Sequence, residues 1–351
     1  MRVLHVISSL EIGGAQRLLS DLLPIQKQQG IDVSLLVLKS EDNAFSKKVA
    51  DAGVPIISLN VKSFRNPFLA FKVRKVIRQY DVVHAHLVHA LYICSLAARG
   101  LKTKMVYTEH STSNNRRGKA YLRPIEKYIY GRYDKLISIS QQTQDALQDW
   151  LQSNDGRFVV INNGVDTKAF ATIRKEVIPK SLIMVSRFAS SKDQETVIRA
   201  MKELDDDVTL RFVGDGENLE HCKKVANEIG VGNRVQFLGA RSDVANLIAE
   251  SYIGVQSSNW EGFGLTAVEM MACGKPVIAT DVDGLKQVVE GAGILFPVGD
   301  YERLAIIISQ LLNDFDYYNL HSKKCFDRAK QYDILNTVRS YIEVYSCIIN
   351  K

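Results

Sequence analysis

The sequence predicts an α/β protein built from two doubly wound parallel sheets. Short apolar runs alternate with segments of helical periodicity along nearly the whole chain, a pattern typical of βαβ units. There are about a dozen such runs, more than one ordinary sheet of about five or six strands holds. A length of 351 residues also fits two domains of about 150 residues each. We therefore expect two Rossmann-like domains.

The predicted strands are short apolar runs that lie between turn-forming or helical segments. The first run follows Met1 and Arg2. It is too short for the apolar core of a signal peptide and leads into a glycine turn, so we interpret it as a strand. The predicted strands are, in order, Val3–Ile7, Val33–Leu38, Ile56–Leu59, Val82–Val83, Met105–Tyr107, Leu136–Ile139, Leu182–Val185, Thr209–Val213, Val235–Leu238, Ile253–Val255, Val277–Ala279 and Ile294–Phe296.

Segments of helical spacing separate these strands. The clearest are Ala15–Gln29, Pro67–Tyr80, Ala90–Arg99, Gln194–Leu204 and Leu219–Ile229. Their lengths suit the crossovers that parallel strands require.

A turn and a charged segment mark the expected boundary between the two domains. Asn162–Asp166 has the composition of a turn, and the charged segment Lys168–Lys180 precedes a new strand. We assign residues 1–166 to the first domain and residues 167–331 to the second. In the remaining segment, 332–351, Tyr332–Asn350 has helical spacing and follows the last strand, so it need not belong to the second sheet.

The composition excludes several classes of protein. Hydrophobic residues make up 46% and charged residues 24%, the balance of a globular protein rather than a disordered, collagen-like or disulfide-rich one. No apolar run approaches the roughly 20 residues that span a bilayer. The five cysteines are odd in number and lack CxxC spacing, which favours a reducing compartment over zinc binding. A net charge of +6 is mild and alone decides nothing.

Two cations follow a strand of the second domain. Arg187 comes just after the predicted strand Leu182–Val185, and Lys192 lies five residues further on. Open α/β sheets bind ligands at the carboxyl ends of their strands, and two cations there suit a diphosphate whose charge grows as it leaves. The alternative is a solvated loop with two unrelated charges.

The segment from Glu261 to Glu269 is the richest in the chain. Gly262 and Gly264 lie where a helix begins, so backbone N–H groups and the helix dipole can approach an anion. The two carboxylates are separated by about two helical turns and can face one pocket edge. They would repel a diphosphate, so we expect them to contact sugar and ribose hydroxyls. The alternative is that Glu261 only complements the helix N-terminus and that Glu269 lies at the surface. The apolar residues around Glu269 weigh against this alternative, because an unpaired carboxylate among them is costly.

The first domain carries weaker signals. Gly13 and Gly14 open the helix after the first strand, either as a phosphate-binding turn or as a plain tight turn. The segment Gly214–Gly216 is equally ambiguous. His84 and His86 alternate onto one face of the strand Asp81–His86, and His110 ends the strand Met105–Glu109. A metal triad, core histidines and contact with a polar substrate all remain open for them, and substrate contact is preferred for His110.

Two stretches of the first domain are basic. Lys62–Tyr80 has six Lys or Arg and no acid, and Arg99–Lys135 has ten against three acids, with tyrosines between them. This composition suits an anionic membrane surface. RNA binding and a merely solvated face are the alternatives.

Taken together, these motifs resemble those of the retaining glycosyltransferases of family GT4, which have the GT-B fold. The most specific match is Glu261-Gly262-Phe263-Gly264-Leu265 with Glu269, the E-x7-E motif of that family. Further matches, in the family's order, are Gly13–Gln16, Asp81–His86, Thr108–His110, Asn163–Asp166, Arg187 with Lys192, and Pro276–Thr280. Asp283-Gly284 stands where the family has two glycines, Gln287 replaces a frequent acid, and Gln16 replaces another.

The resemblance implies a role for each matched residue. Arg187 and Lys192 hold the donor diphosphate, which Gly13 and Gly14 approach from the first domain. Glu269 accepts from the ribose hydroxyls. Glu261 and His110 contact the transferred sugar. Gly262, Phe263, Gly264 and Leu265 supply backbone contacts to the sugar and phosphate. The family also implies an interdomain cleft and a last helix that crosses back onto the first domain.

The same resemblance implies the reaction. We expect retaining transfer from a nucleotide-diphosphate sugar, with UDP favoured, to a glycan or lipid-linked acceptor in surface polysaccharide or glycolipid synthesis. No cofactor, divalent metal or nucleic-acid partner is expected, and the location is cytoplasmic, peripheral on the membrane's inner face. The alternatives are a GT-B sugar-nucleotide epimerase and a non-catalytic nucleotide-sugar-binding protein at a membrane.

Overall fold

The computed structural model describes residues 1–11, 13–40, 42–61, 63–64, 66, 68–112 and 116–350. The chain divides into two units. The amino-terminal unit comprises Met1–Gly164 together with Ile334–Lys351, and the carboxyl-terminal unit comprises Val165–Asp333. Each expected domain boundary lies within two residues of these divisions.

The amino-terminal unit contains a parallel sheet of seven strands. Their order is β3-β2-β1-β4-β5-β6-β7, so the order reverses between β1 and β4. The strands are β1 (Arg2–Ile7), β2 (Asp32–Val37), β3 (Ile56–Ser58), β4 (Val82–His86), β5 (Lys104–Glu109), β6 (Lys135–Ser138) and β7 (Phe158–Val160). The helices before the division are α1 (Gly14–Gln28), α2 (Ala44–Asp51), α3 (Leu69–Ile77), α4 (Leu87–Ala97), α5 (Arg123–Tyr130) and α6 (Gln141–Leu151).

The carboxyl-terminal unit repeats this architecture with six parallel strands in the order β10-β9-β8-β11-β12-β13. They are β8 (Ser181–Val185), β9 (Thr209–Val213), β10 (Val235–Phe237), β11 (Ile253–Gln256), β12 (Val277–Thr280) and β13 (Ile294–Phe296). The helices are α7 (Thr167–Thr172), α8 (Gln194–Ala200), α9 (Leu219–Glu228), α10 (Val244–Glu250), α11 (Leu265–Ala272), α12 (Asp283–Val289), α13 (Tyr301–Asn313) and α14 (Phe315–Ala329). The strand order here reverses between β8 and β11.

One strand of the structure was not predicted. β7 was missed because its three residues are only half-buried, so they lack the continuous apolar run of an interior strand. β4 ends at His86, as expected for the strand Asp81–His86, although its apolar run covers only Val82–Val83. His84 and His86 continue the strand as fully buried polar residues.

The last helix, α15 (Ile334–Ile349), belongs to the amino-terminal unit. Its residues Val338, Tyr341, Tyr345 and Ile348 are buried in the same apolar cluster as residues of β1 and α1. The chain leaves the unit at Gly164 and returns at Ile334, where a Cβ added to Gly164 would lie 2.6 Å from the Cα of Ile334. Only glycine lets the two passages come this close.

None of the helices in the described ranges combines the length and the apolar character needed to cross a bilayer.

Candidate functional site

The predicted donor-binding residues of the carboxyl-terminal unit lie in the loops after β8 and β11. These strands pair in the sheet, and the strand order reverses between them. Ligands of open α/β sheets bind at the carboxyl ends of strands at such a reversal. The fold therefore brings the loop of Arg187 and Lys192 and the loop of Glu261 to the position that favours a ligand.

Lys192 and Glu261 meet in this position. The Nζ atom of Lys192 forms a salt bridge with the Oε2 atom of Glu261 and lies 3.3 Å from the hydroxyl of Ser258. The other carboxylate oxygen of Glu261 accepts from the backbone N–H of Gly262 at 3.0 Å. Both side chains are partly exposed, at 17% for Lys192 and 23% for Glu261. A pair this accessible can exchange partners with a ligand.

Arg187 is exposed and has no ion-pair partner among the residues that the structure describes. Hydrogen bonds to the backbone hold Arg187 in place. The buried side chain of Gln194 donates to the carbonyl of Arg187 at 2.9 Å and to the hydroxyl of Ser186 at 3.0 Å. Gln194 was not identified from the sequence. Its location directly after the two cations, at the start of α8, was the available signal.

The ambiguous segment Gly214–Gly216 supports the same loop. Gly214 and Gly216 have φ values of 138° and 152°. A Cβ added to them would lie 2.0 Å from the carbonyl oxygen of Ser186 and 2.4 Å from that of Phe188, respectively. These glycines therefore allow the β9–α9 loop to pack directly against the backbone on either side of Arg187.

The start of α11 presents backbone donors. Gly264 caps this helix with a φ of 92°, a left-handed conformation that favours glycine. Within the described residues, the backbone N–H groups of Leu265 and Thr266 have no acceptor, as expected for the first turn of a helix. The side chain of Phe263 is buried against the ring of Tyr332, which fixes the backbone between the two glycines.

Glu269 lies inside α11 and is buried, with an exposure of 6%. The alternative that placed it at the surface is therefore wrong. Its neighbours in the helix, Val268 and Met270, are fully buried. Whether Glu269 and Glu261 share one pocket edge stays a prediction.

The end of β12 adds Asp281, which the sequence reasoning missed. Asp281 and Asp283 form an Asp-x-Asp sequence there, and Asp281 forms a salt bridge with Lys286 at 3.1 Å. Gly284 follows, and a Cβ at this position would lie 2.2 Å from the carbonyl oxygen of Glu261. Of the two glycines that the family has here, this chain keeps only the second, Gly284. The backbone of Glu261 leaves no room for a larger residue at that position.

In the amino-terminal unit, Gly13 and Gly14 begin α1 at the carboxyl end of β1. The side-chain oxygen of Gln16 covers Gly13, because a Cβ added there would lie 2.5 Å from it. His110 follows β5 directly, and burial lowers its pKa to about 4. β1 and β4 flank the reversal of strand order, so the glycines lie beside the favoured ligand position of this unit.

His84 and His86 share one face of β4, as predicted, and their rings stack with centroids 4.2 Å apart. Both are fully buried, and burial holds the pKa of each well below its ordinary value. The ring nitrogens of His84 bond to the hydroxyls of Tyr345 and Thr108, both at 2.6 Å. The histidine cluster that forms among the described residues contains His5, His84 and His86, and so differs from the triad with His110 that was one open alternative. A metal there would have to displace existing hydrogen bonds.

Part of the basic stretch Arg99–Lys135 is structural. Arg116 forms a salt bridge with Glu126 at 2.7 Å and Arg117 one with Glu109 at 3.1 Å, and both carboxylates are buried. Burial raises the pKa of Glu109, and the charge of Arg117 opposes this shift. These two arginines therefore do not count toward a basic surface. In the other stretch, Lys62 and Arg65 lie outside the described residues.

Comparison with known proteins identifies the family. Residues 166–330 match the model described as Glycosyl transferases group 1, and residues 12–169 match the model Glycosyltransferase Family 4. The chain is 27% identical to N-acetyl-alpha-D-glucosaminyl L-malate synthase of Bacillus anthracis, covering 79% of this chain and 78% of that protein. It is 26% identical to phosphatidyl-myo-inositol mannosyltransferase of Mycobacterium leprae, covering 96% and 93%.

A solved structure shares the fold of this chain. Anabaena Alr3699/HepE, crystallised with UDP and glucose, superimposes with a TM-score of 0.86 at 23% identity, covering 99% of each chain. The two family models together span residues 12–330, and each covers most of one of the two parallel-sheet units. The chain therefore belongs to the GT4-type glycosyltransferases and is a transferase enzyme with the GT-B fold.

Proposed function

We propose that this glycosyltransferase moves a sugar from a UDP-sugar to a glycan or lipid-linked acceptor, with retention of configuration and without a divalent metal. The observation that carries the proposal is the meeting of three features at the strand reversal between β8 and β11. These are the exposed guanidinium of Arg187, the Lys192–Glu261 pair and the open N–H groups at the start of α11. Together they suit a sugar joined to a diphosphate.

The Lys192–Glu261 pair has a specific use in this proposal. Lys192 interacts more strongly with a phosphate group than with one carboxylate, because the phosphate carries more charge and more acceptor atoms. When the donor binds, Lys192 turns to the diphosphate, and the carboxylate of Glu261 is released to accept from a sugar hydroxyl. Until the donor arrives, the pair thus gives Lys192 and Glu261 each a partner of opposite charge.

The reaction itself follows from where charge develops. The bond between the anomeric carbon and the phosphate oxygen breaks while the acceptor oxygen bonds to the same face of that carbon. The acceptor proton passes to the leaving phosphate. Arg187, Lys192 and the α11 N-terminus stabilise the negative charge on the diphosphate. No side chain serves as a covalent nucleophile, and the two cations supply the positive charge that a metal would otherwise bring.

The remaining residues complete the binding of the donor. We assign Glu269 to the ribose hydroxyls, Gly262–Leu265 to backbone contacts with sugar and phosphate, and Gly13 and Gly14 to the diphosphate. His110 contacts the transferred sugar. The salt bridge of Asp281 with Lys286 supports metal independence, because this carboxylate already has a cation.

A panel of nucleotide-sugars tests the proposal. UDP-sugars should raise the melting temperature of the purified protein, and one of them should release UDP when a lipid-linked or glycan acceptor is added. EDTA should leave the rate unchanged. A strict requirement for Mg²⁺ or Mn²⁺ would overturn metal independence, inversion of the anomeric configuration would overturn retention, and epimerisation without transfer would favour the epimerase.

A matched pair of variants tests the assignment of Glu269. Glu269→Ala should lower kcat/KM for the donor at least about tenfold, since hydrogen bonds to a charged group contribute about 1.5–3 kcal/mol each. The control is Glu290→Ala, which removes an exposed acid at the end of α12 and should have no effect. Equal kinetics in the two variants would remove Glu269 from the site.

We further propose that one face of the amino-terminal unit binds anionic lipid at the cytoplasmic side of a membrane. α3 packs against α4, and α4 against α5. Six large apolar side chains on or beside these helices are more than half exposed: Phe68, Phe71, Leu96, Tyr121, Ile125 and Tyr128. Exposed lysines accompany them at Lys72, Lys75, Lys119 and Lys127. We name this set the α3–α5 face.

Apolar and basic side chains together favour a lipid interface over RNA or plain solvation. A cavity of about 270 Å³ between α3 and α4, lined mainly by apolar side chains such as Leu69 and Ile93, adds room for hydrocarbon. Flotation should show binding to phosphatidylglycerol vesicles but not to phosphatidylcholine vesicles. The double variant Lys72→Glu with Lys75→Glu should abolish it, whereas Lys202→Glu in the other unit should not. Equal binding to both vesicles would contradict the electrostatic account.

A further inference from the structure

A chain of side-chain hydrogen bonds crosses the amino-terminal unit from α1 to the end of β5. The side-chain oxygen of Gln26 lies 3.0 Å from Nε2 of His5, and Nδ1 of His5 lies 3.0 Å from Nε2 of His86. Nδ1 of His86 in turn lies 3.1 Å from Nε2 of His110. Gln26, His5 and His86 are fully buried, so no water competes for these bonds.

All three imidazoles of this chain are neutral near pH 7. Burial lowers the pKa of His5 to about 3 and that of His110 to about 4, and it holds the pKa of His86 well below its ordinary value. A neutral imidazole has one N–H donor and one bare nitrogen that accepts. Each ring must therefore donate on one side and accept on the other, and the whole chain runs in a single direction.

Gln26 sets that direction. Its side-chain oxygen can only accept, so Nε2 of His5 carries the proton and Nδ1 of His5 is bare. Nε2 of His86 then donates to His5, and Nε2 of His110 donates to Nδ1 of His86. This leaves the Nδ1 atom of His110 with a free lone pair.

The last nitrogen in this series of hydrogen bonds, Nδ1 of His110, has no partner among the described residues. Nδ1 of His110 is buried and has no hydrogen bond in the part of the chain that the structure describes. A buried acceptor without a donor costs free energy that a bound hydroxyl would recover. His84 is linked to these hydrogen bonds through the hydroxyl of Tyr345, which lies 2.6 Å from Nδ1 of His84 and 3.4 Å from Nε2 of His5. The side-chain oxygen of Gln26, at 3.0 Å, is the nearer partner of Nε2 of His5.

We propose that Gln26 is a positioning residue that acts through His5 and His86. It holds His110 in the tautomer with the proton on Nε2, so that Nδ1 accepts a hydrogen bond from a hydroxyl of the transferred sugar. The tautomer rests on the hydrogen-bond geometry together with the neutral state of the three imidazoles. The sugar contact rests on the proposed function.

Nitrogen-15 NMR of histidine-labelled protein at pH 7 tests the tautomer without any substrate. The His110 signals are assigned by their loss in His110→Gln. In the wild-type protein, Nδ1 of His110 should be unprotonated. Gln26→Leu removes the accepting oxygen and should shift this tautomer. A proton on Nδ1 in the wild-type protein, or an unchanged tautomer in Gln26→Leu, would overturn the proposal.

Calorimetry with two ligands tests the sugar contact. Gln26→Leu should weaken binding of the UDP-sugar selected by the donor panel about tenfold but leave UDP affinity unchanged, because UDP lacks the sugar. Tyr341→Phe removes a buried hydroxyl from the same core, one that bonds to Thr108 at 3.3 Å, and should change neither affinity. Equal loss for UDP and the UDP-sugar would indicate a structural role only. If the wild-type protein bound no UDP-sugar, the sugar contact and the proposed function would fail, while the NMR result would still decide the tautomer.

Discussion

The two units use the same architecture to present opposite electrostatic environments. At the strand reversal of the carboxyl-terminal unit, the loops carry charged groups that are wholly or partly exposed, namely Arg187, Lys192 and Glu261. At the corresponding strands of the amino-terminal unit, the polar groups are histidines whose burial keeps them neutral.

The same fold thus provides one set of residues suited to a charged group and another suited to a neutral group. Exposed cations remain charged because water solvates them, and they can neutralise a diphosphate. Buried imidazoles lose their charge but keep fixed directions of donation, which suits a group recognised by its hydroxyls. The following predictions test whether the two sites are as distinct as this comparison requires.

The largest effect on kcat should come from substituting Arg187 or Lys192 in the carboxyl-terminal unit. Arg187→Ala and Lys192→Ala should each lower kcat by about a hundredfold, because each removes a preorganised charge that stabilises the leaving diphosphate. The purified variants should keep the wild-type circular dichroism spectrum. Lys223→Ala, which removes an exposed lysine of α9, serves as the control and should be neutral. Near-normal kinetics in both active-site variants would contradict the assignment.

The next effect concerns the backbone that holds Glu261. Gly284→Ala should lower the free energy of unfolding by about 2–3 kcal/mol, because the new Cβ overlaps the carbonyl oxygen of Glu261. Activity should fall with it. Gly156→Ala adds the same methyl group where no heavy atom lies within 4 Å and should be nearly neutral. Urea unfolding measures both, and equal stability would show that the backbone adjusts freely.

The buried histidines of the amino-terminal unit should make the stability of the protein depend on pH. An unfolded histidine has a pKa near 6.5, whereas that of native His5 is about 3. Below pH 6.5 the unfolded chain therefore binds a proton that the native protein does not, so stability falls as the pH falls. Each such histidine adds a slope of about 1.4 kcal/mol per pH unit.

Urea unfolding between pH 7 and pH 5 measures this slope. His5→Gln should reduce it by the contribution of one histidine, even if the variant is less stable at every pH. His221→Gln replaces an exposed histidine that pairs with Glu195 and should not flatten the curve in the same way. An identical slope in wild type and His5→Gln would mean that His5 is protonated in the native state.

The sequence predicted the charged site better than the neutral one, for a physical reason. Arg187, Lys192 and Glu261 lie in the loops that follow two apolar strands, so their place near the strand ends could be inferred from local pattern. The partnership of Gln26 with His5 could not, because it joins α1 to β1 through tertiary packing and neither residue has a motif. The alternation of His84 and His86 was visible, but their partner Tyr345 is 261 residues from His84.

The return of α15 to the amino-terminal unit bears on how the protein is made. Synthesis proceeds from the amino end, so residues 165–333 leave the ribosome before α15 does and can fold as a finished body. The amino-terminal unit has to wait, because the hydroxyl that bonds Nδ1 of His84 belongs to Tyr345. A nascent chain released before Tyr345 is added would therefore have an incomplete amino-terminal unit, although that unit is synthesised first.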